Sequence, residues 1–186
     1  MNRWVGVAAL AAILAATPAA AVQIGIGVTG GASVPLGQSD NAAGGEYGLH
    51  LPINVMPLLT VEPFLTSTGL GSVDATFGGQ TYVRDGFDIV SYGAVVALGG
   101  MGLGPRYPLF PFLSVGGYHL GREGGADEVR VGYSAGVGYA RQLSTHFSAN
   151  LRSDYHWIDV GGADRRFFEI GAGVTLRFFP VTQEKL

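Results

Sequence analysis

Cysteine is absent from the 186-residue chain, and lysine occurs once, as Lys185. Without cysteine there is no disulfide framework, no thiolate zinc site and no cysteine nucleophile. The scarcity of lysine, with a formal net charge of −3, excludes a basic nucleic-acid-binding face. Charged residues of both signs make up only 13% of the chain, against roughly 25% in an ordinary soluble domain. Long hydrophobic runs are missing as well. The longest, residues 5–16, stops short of Pro18, whereas a membrane-spanning helix needs about 20 apolar residues. What remains is an apolar, aromatic and very Gly-rich chain, with 31 glycines and 47% hydrophobic residues. Such a chain is neither disordered nor dressed for water.

The first residues read as an address. Met1-Asn2-Arg3-Trp4 carries one positive charge, the apolar stretch follows, and Ala19 and Ala21 have the small-residue spacing that signal peptidase accepts. Residues 1–21 are therefore expected to be a cleaved signal peptide and Val22 the mature N-terminus. With no Cys after the apolar stretch, a lipid-anchored lipoprotein is excluded.

Beyond residue 21, Gly and Pro interrupt the chain too often for a spanning helix, and the recurring signal is period-two alternation. It is clear over residues 23–34, 45–55, 58–66, 128–141, 147–158 and 166–179. In the segment at 128–141, for example, Val129, Val131, Tyr133, Ala135, Val137 and Tyr139 alternate with Arg130, Gly132, Ser134, Gly136 and Gly138. Residues 87–98 and 107–120 are apolar on both faces, so the facing of strands four and five is left open. That makes eight segments. Links after the odd-numbered ones are rich in Gly, Asp and Arg, and the longest, 67–86, has room for a small hairpin around Gly78-Gly79. Links after the even-numbered ones are shorter. The expected fold is all-β, an eight-stranded antiparallel up-and-down transmembrane barrel over residues 22–179, followed by a short tail at 180–186. Both termini and the short turns would face the periplasm, and the long loops the outside.

An exported soluble barrel of the lipocalin type also has eight strands. It would show water a polar face dense in Lys and Glu, whereas this polar face is mostly Gly, Ser and Thr. The apolar face carries Tyr47, Tyr139, Phe147, Trp157, Phe168 and Phe178 near strand ends, as interfacial girdles do. Several loose motifs fit the same picture: Gly30-Gly31-Ala32-Ser33-Val34-Pro35-Leu36-Gly37, Val61-Glu62-Pro63-Phe64, residues 111–118, and Ala135-Gly136-Val137-Gly138-Tyr139. With these, the chain resembles the eight-stranded outer-membrane β-barrel proteins of Gram-negative bacteria, the broad OmpA/OmpX/OmpW-like group. The resemblance implies residence in the cell outer membrane, lipid as the surrounding partner and a barrel-assembly machinery as partner during biogenesis. It also implies that Gly173, Leu176 and Phe178 of the last segment form the assembly signal. One departure is the stretch 180–186 after Phe179, since the family usually ends on its terminal aromatic.

The interior of so small a barrel is filled by side chains, and ionic groups there must pair. Alternation turns Glu62, Arg130, Arg152, Asp154, Glu169 and Arg177 inward, with His156 among them. They are expected to form an ionic network, with Glu62 against Arg152 and Glu169 against Arg130. Such pairs either plug the barrel and hold its register or act as a gate for ions. Catalysis finds little support. The only His-x-Ser, His146-Phe147-Ser148, falls in a short turn with no nearby carboxylate in this register, so the acyl chemistry of lipid A modifying barrels lacks a triad. His50 and His119 are isolated, and with four scattered His and no Cys no metal set or cofactor site is expected. The outer loops, with Arg122-Glu123, Asp127-Glu128, Asp159 and Asp164-Arg165-Arg166, could hold an unidentified ligand but carry no recognisable motif.

The sequence thus points to a non-catalytic outer-membrane barrel with a structural or small-solute permeability role. A ligand-binding barrel, whether lipocalin-like or loop-binding in the membrane, is the second reading, and a lipid A modifying enzyme a remote third. Residues 22–186 are expected to refold only in detergent micelles, as read by β-sheet circular dichroism and a fast-running band on an unboiled gel. A monodisperse β-rich protein in plain buffer would reverse the facing of every strand.

Overall fold

The structure, a computed structural model, describes residues 23–36, 42–56, 58–84, 86–99, 108–122, 128–160 and 164–178. The expected leader at 1–21 and tail at 180–186 lie outside the described residues. No described helix is long and apolar enough to cross a membrane.

Alternation becomes strand throughout. The described elements are β1 (Gln23–Pro35), β2 (Ala42–His50), β3 (Ile53–Met56), β4 (Leu59–Gly71), β5 (Val73–Phe77), β6 (Gln80–Arg84), β7 (Phe87–Leu98), β8 (Leu109–Arg122), β9 (Glu128–Gln142), β10 (Phe147–Ile158) and β11 (Arg165–Arg177). Consecutive staves pair antiparallel from β1 round to β11, and β11 pairs back on β1 from Gly25↔Arg177 to Pro35↔Phe167. The sheet therefore closes. Its eight staves are β1, β2 with β3, β4, β7, β8, β9, β10 and β11.

The second stave breaks at Leu51-Pro52, because proline has no N–H to give a ladder. Its neighbours repair the break: Leu51 N donates to Pro63 O at 2.9 Å, and Gly25 N donates to Pro52 O at 2.9 Å. The third stave runs on to Gly71 rather than ending at Thr66. Ser67 and Gly69 face outward and look like loop residues in sequence, but Thr68 and Leu70 between them are buried and continue the alternation. The long link that follows holds the small hairpin β5–β6. Gly78 and Gly79 turn it at φ 61° and 81°, the left-handed pair that a two-residue hairpin loop of type I′ demands.

Facing follows the alternation on every stave. Val28, Leu113, Val137 and Ile170 are 55, 65, 59 and 57% exposed on the outer surface, along with Tyr47, Leu49, Tyr133, Leu151 and Trp157. An apolar belt around a whole barrel is far larger than the patch a soluble monomer tolerates, and it suits hydrocarbon. The two ambiguous staves are settled as well. Phe87, Ile89, Val95 and Ala97 of β7 and Phe110, Phe112, Tyr118 and Leu120 of β8 point inward. These staves are apolar on both faces because their inner residues form two lumenal clusters. One is Leu70, Phe87, Ile89, Tyr118, Leu120, Ile158 and Phe167 at the long-link end. The other is Val95, Ala97, Phe110, Phe112 and Ala140 toward the short links.

Glycine on the inner face makes room for these rings. A Cβ on Gly138 would meet the Phe110 ring at 2.2 Å, so the β8 ring lies flush on the β9 backbone. Gly138→Val is expected to cost about 1–3 kcal/mol by overpacking, seen as a lower urea midpoint for unfolding in micelles. An unchanged midpoint would show that the lumen is loosely filled there.

Candidate functional site in the barrel lumen

Between the two apolar clusters the lumen is ionic. On β10 the alternation sends Arg152, Asp154 and His156 inward, and the β10–β11 register sets Asp154 opposite Glu169. Glu62 enters from β4, on the far side of the ring, and Glu46 from β2.

Arg152 and Glu62 meet across the lumen as a fork. Nη1 donates to Oε1 at 2.5 Å and Nη2 to Oε2 at 2.7 Å. Glu62 is fully buried, and the guanidinium also lies 5.7 Å from the centre of the Phe112 ring. Two parallel charge-assisted bonds fix both partners in direction as well as distance.

Glu169 anchors a second group. Ser33 Oγ and Thr68 Oγ1 donate to its Oε1 at 2.7 and 2.8 Å, which ties β11 to β1 and β4. Its Oε2 lies 3.0 Å from His156 Nε2, and Asp154 Oδ2 lies 2.7 Å from the same nitrogen. His156 is held from its other side, with Nδ1 2.9 Å from Tyr118 Oη. Its ring stacks on Phe167 at 4.4 Å and 6°. A cavity of about 60 Å³ remains, lined by Glu46, Asp154, His156, Glu169 and Arg152 together with Thr29, Thr66, Ser114 and Ser134.

Set against the sequence, the structure brings Glu62, Arg152, Asp154 and Glu169 into this layer. Arg130 pairs with Glu128 of its own strand instead of Glu169. The reason is the register: Arg130 stands opposite Tyr118, whereas Glu169 faces β10 and takes its partner from the neighbouring His156. Arg177 is buried at the short-link end, opposite Gly25. Gly173 faces inward, while Leu176 and Phe178 face outward, with Phe178 N donating to Ile24 O at 3.0 Å. His50 lies 3.2 Å from Thr175 Oγ1 in the lumen. The His146-Phe147-Ser148 turn does not gather a nucleophile and a base, for Ser148 is buried in the lumen and His146 is exposed beside Thr145.

Glu46, Tyr118 and the role of His156 escaped the sequence reading. Tyr118 lies on the strand whose facing was left open. His156 carried a usable signal, Asp-x-His on one strand with a carboxylate in register on the next. Asp154, His156 and Glu169 present ligand atoms within 4.8 Å of one another, an arrangement able to hold a metal ion.

No protein-family model matches the sequence, and no curated protein matches it in sequence. Solved structures do match. Neisserial surface protein A superimposes with a TM-score of 0.53 at 17% identity, over 84% of this chain and 97% of that one. The chain has the fold of the eight-stranded outer-membrane β-barrels. A major outer membrane protein from Thermus thermophilus gives a TM-score of 0.51 at 16% identity, over 83% of this chain and 99% of that one. The Yersinia pestis outer membrane protein Ail, in a phospholipid bilayer nanodisc, gives 0.50 at 14%, over 83% and 99%.

Within this outer-membrane-type barrel, the buried fork is an asymmetric liability. Arg152→Met leaves Glu62 buried and unpaired and is expected to cost about 3–5 kcal/mol, measured by urea unfolding in micelles. Adding Glu62→Leu should recover most of that loss. A single variant as stable as wild type would show that the pair carries no structural burden.

Proposed function

We propose that the chain is a non-catalytic protein of the cell outer membrane, exported by a leader at residues 1–21, and that it is a structural barrel with a closed lumen. The observation that carries this reading is the Glu62–Arg152 fork, which crosses the lumen between two clusters of packed side chains. A conduit for solutes would need a continuous wet path, whereas the described interior is occupied by rings, aliphatics and ionic groups, with a cavity of only about 60 Å³ in the ionic layer. The apolar outer belt supports lipid as the lateral partner. Gly173, Leu176 and Phe178 supply, on the closing strand, the pattern we assign to recognition by the assembly machinery. The exposed hairpin β5–β6, on the long-link end, gives any loop ligand a hydrogen-bonded strand pair to meet.

Planar-bilayer recording tests this assignment. The refolded wild-type protein is expected to insert without discrete conductance steps. Stable wild-type channels whose conductance changes in Arg152→Ala would replace the structural reading with a gated permeability role.

A further inference from the structure

We infer that Asp154, His156 and Glu169 form a lumenal binding site for a divalent first-row transition metal such as Zn²⁺ or Mn²⁺. The donor set is one imidazole and two carboxylates, which suits these ions better than alkaline-earth cations, whose protein ligands are oxygens alone. The spacing fits too. Ligands at about 2.1 Å from a metal stand about 3 Å apart on adjacent octahedral corners, the geometry Mn²⁺ takes, and about 3.4 Å apart on the tetrahedral corners Zn²⁺ prefers, to which the side chains would open slightly. Asp154 Oδ2 and Glu169 Oε2 lie 2.7 and 3.0 Å from His156 Nε2.

Direction adds a second, independent observation. His156 is 5% exposed, and its Nε2 makes no hydrogen bond of acceptable geometry although two carboxylate oxygens lie within 3.0 Å. The nitrogen therefore does not point along a line to either oxygen. A bound ion would take up that nitrogen together with the two carboxylate oxygens, the ligand atoms all lying within 4.8 Å of one another. Tyr118 Oη at 2.9 Å from Nδ1 and the Phe167 stack fix the ring from the far side. Ligation requires the tautomer in which Nδ1–H donates to Tyr118 Oη, which leaves the lone pair on Nε2, the outer-shell device that orients metal-bound histidines.

Charge supplies the driving force. Arg152 is matched by Glu62 in the fork. The cavity lining then holds Glu46, Asp154 and Glu169 against His156, and even a protonated imidazole leaves negative charge in excess. Excess charge in a low-dielectric interior is costly, and a divalent cation offsets it. Glu46 is the fourth acidic group of the layer, with Oε2 lying over Gly31 and Gly171, where a side chain would crowd it.

The test refolds the full barrel in micelles with Zn²⁺ or Mn²⁺ present, because the site is enclosed, followed by desalting and elemental analysis. About one metal ion per folded chain is expected to be retained. Asp154→Asn and Glu169→Gln, which keep shape and hydrogen-bonding capacity, should each weaken retention roughly tenfold or more against a chelator. A folded wild-type barrel that retains neither metal overturns the site, whatever the variants do. So does retention unchanged in variants that fold, since the metal would then sit on exposed side chains such as His146.

Discussion

A backbone amide in hydrocarbon has no water to fall back on, so every N–H and C=O along these staves must find its partner within the protein. The β1–β11 pairing meets that demand, turning an open sheet with two unsatisfied edges into a ring with none. The rest of the structure follows from closure. Where Pro52 interrupts the second stave, the freed groups of Leu51 and Gly25 are taken up by Pro63 and Pro52 themselves. The break therefore leaves the ring intact and lets β3 bridge β1 and β4 at the short-link end.

Closure on eight staves also sets the size of the interior, and the interior in turn explains the glycine content. A narrow lumen lets a ring from one stave lie flat only if the neighbouring stave gives way. Phe110 on Gly138 and His50 on Gly27 are both contacts that a Cβ would displace. The same narrowness brings ionic groups from opposite sides within bonding reach. Glu62 and Arg152 are 90 residues apart in sequence, and Thr68 and Glu169 are 101 apart. Each is a strut between staves that share no ladder. Closing these contacts costs chain entropy, and low local dielectric makes each one strong when paired and expensive when not.

The lumen is thus layered: an apolar cluster at each end and an ionic layer between them. The apolar clusters lie on either side of the ionic layer, and the low dielectric they provide strengthens the electrostatics of the fork and of the His156 group. The ionic layer in turn holds one register of the barrel, since a one-residue slip would send every paired charge to the lipid face. The structural role and the ligating role proposed for the barrel share this origin, both resting on a closed, charge-bearing core.

Alternation determined six of the strands. Residues 147–158 coincide with β10, and the facing of six segments could be read directly, because a surface with lipid on one side and a filled lumen on the other imposes period two. Residues 87–98, apolar on both faces, were legible as the strand β7 by length and apolar character alone. The Gly78-Gly79 hairpin was legible for a local reason, the left-handed backbone that glycine alone adopts without cost. Local pattern could not orient β7 and β8, since an apolar lumen and an apolar membrane ask for the same residues. Nor could it give Glu169 its partner. Alternation says that a charge points inward, but the stagger and tilt of the closed ring decide which charge stands across from it. That geometry joined Glu62 to Arg152, took Arg130 to Glu128, and set His156 between Asp154 and Glu169. The amino-acid pattern alone determined an eight-stranded barrel with ions inside. Only the tertiary structure decided how those ions meet, because register across a closed sheet is a property of all eight staves together.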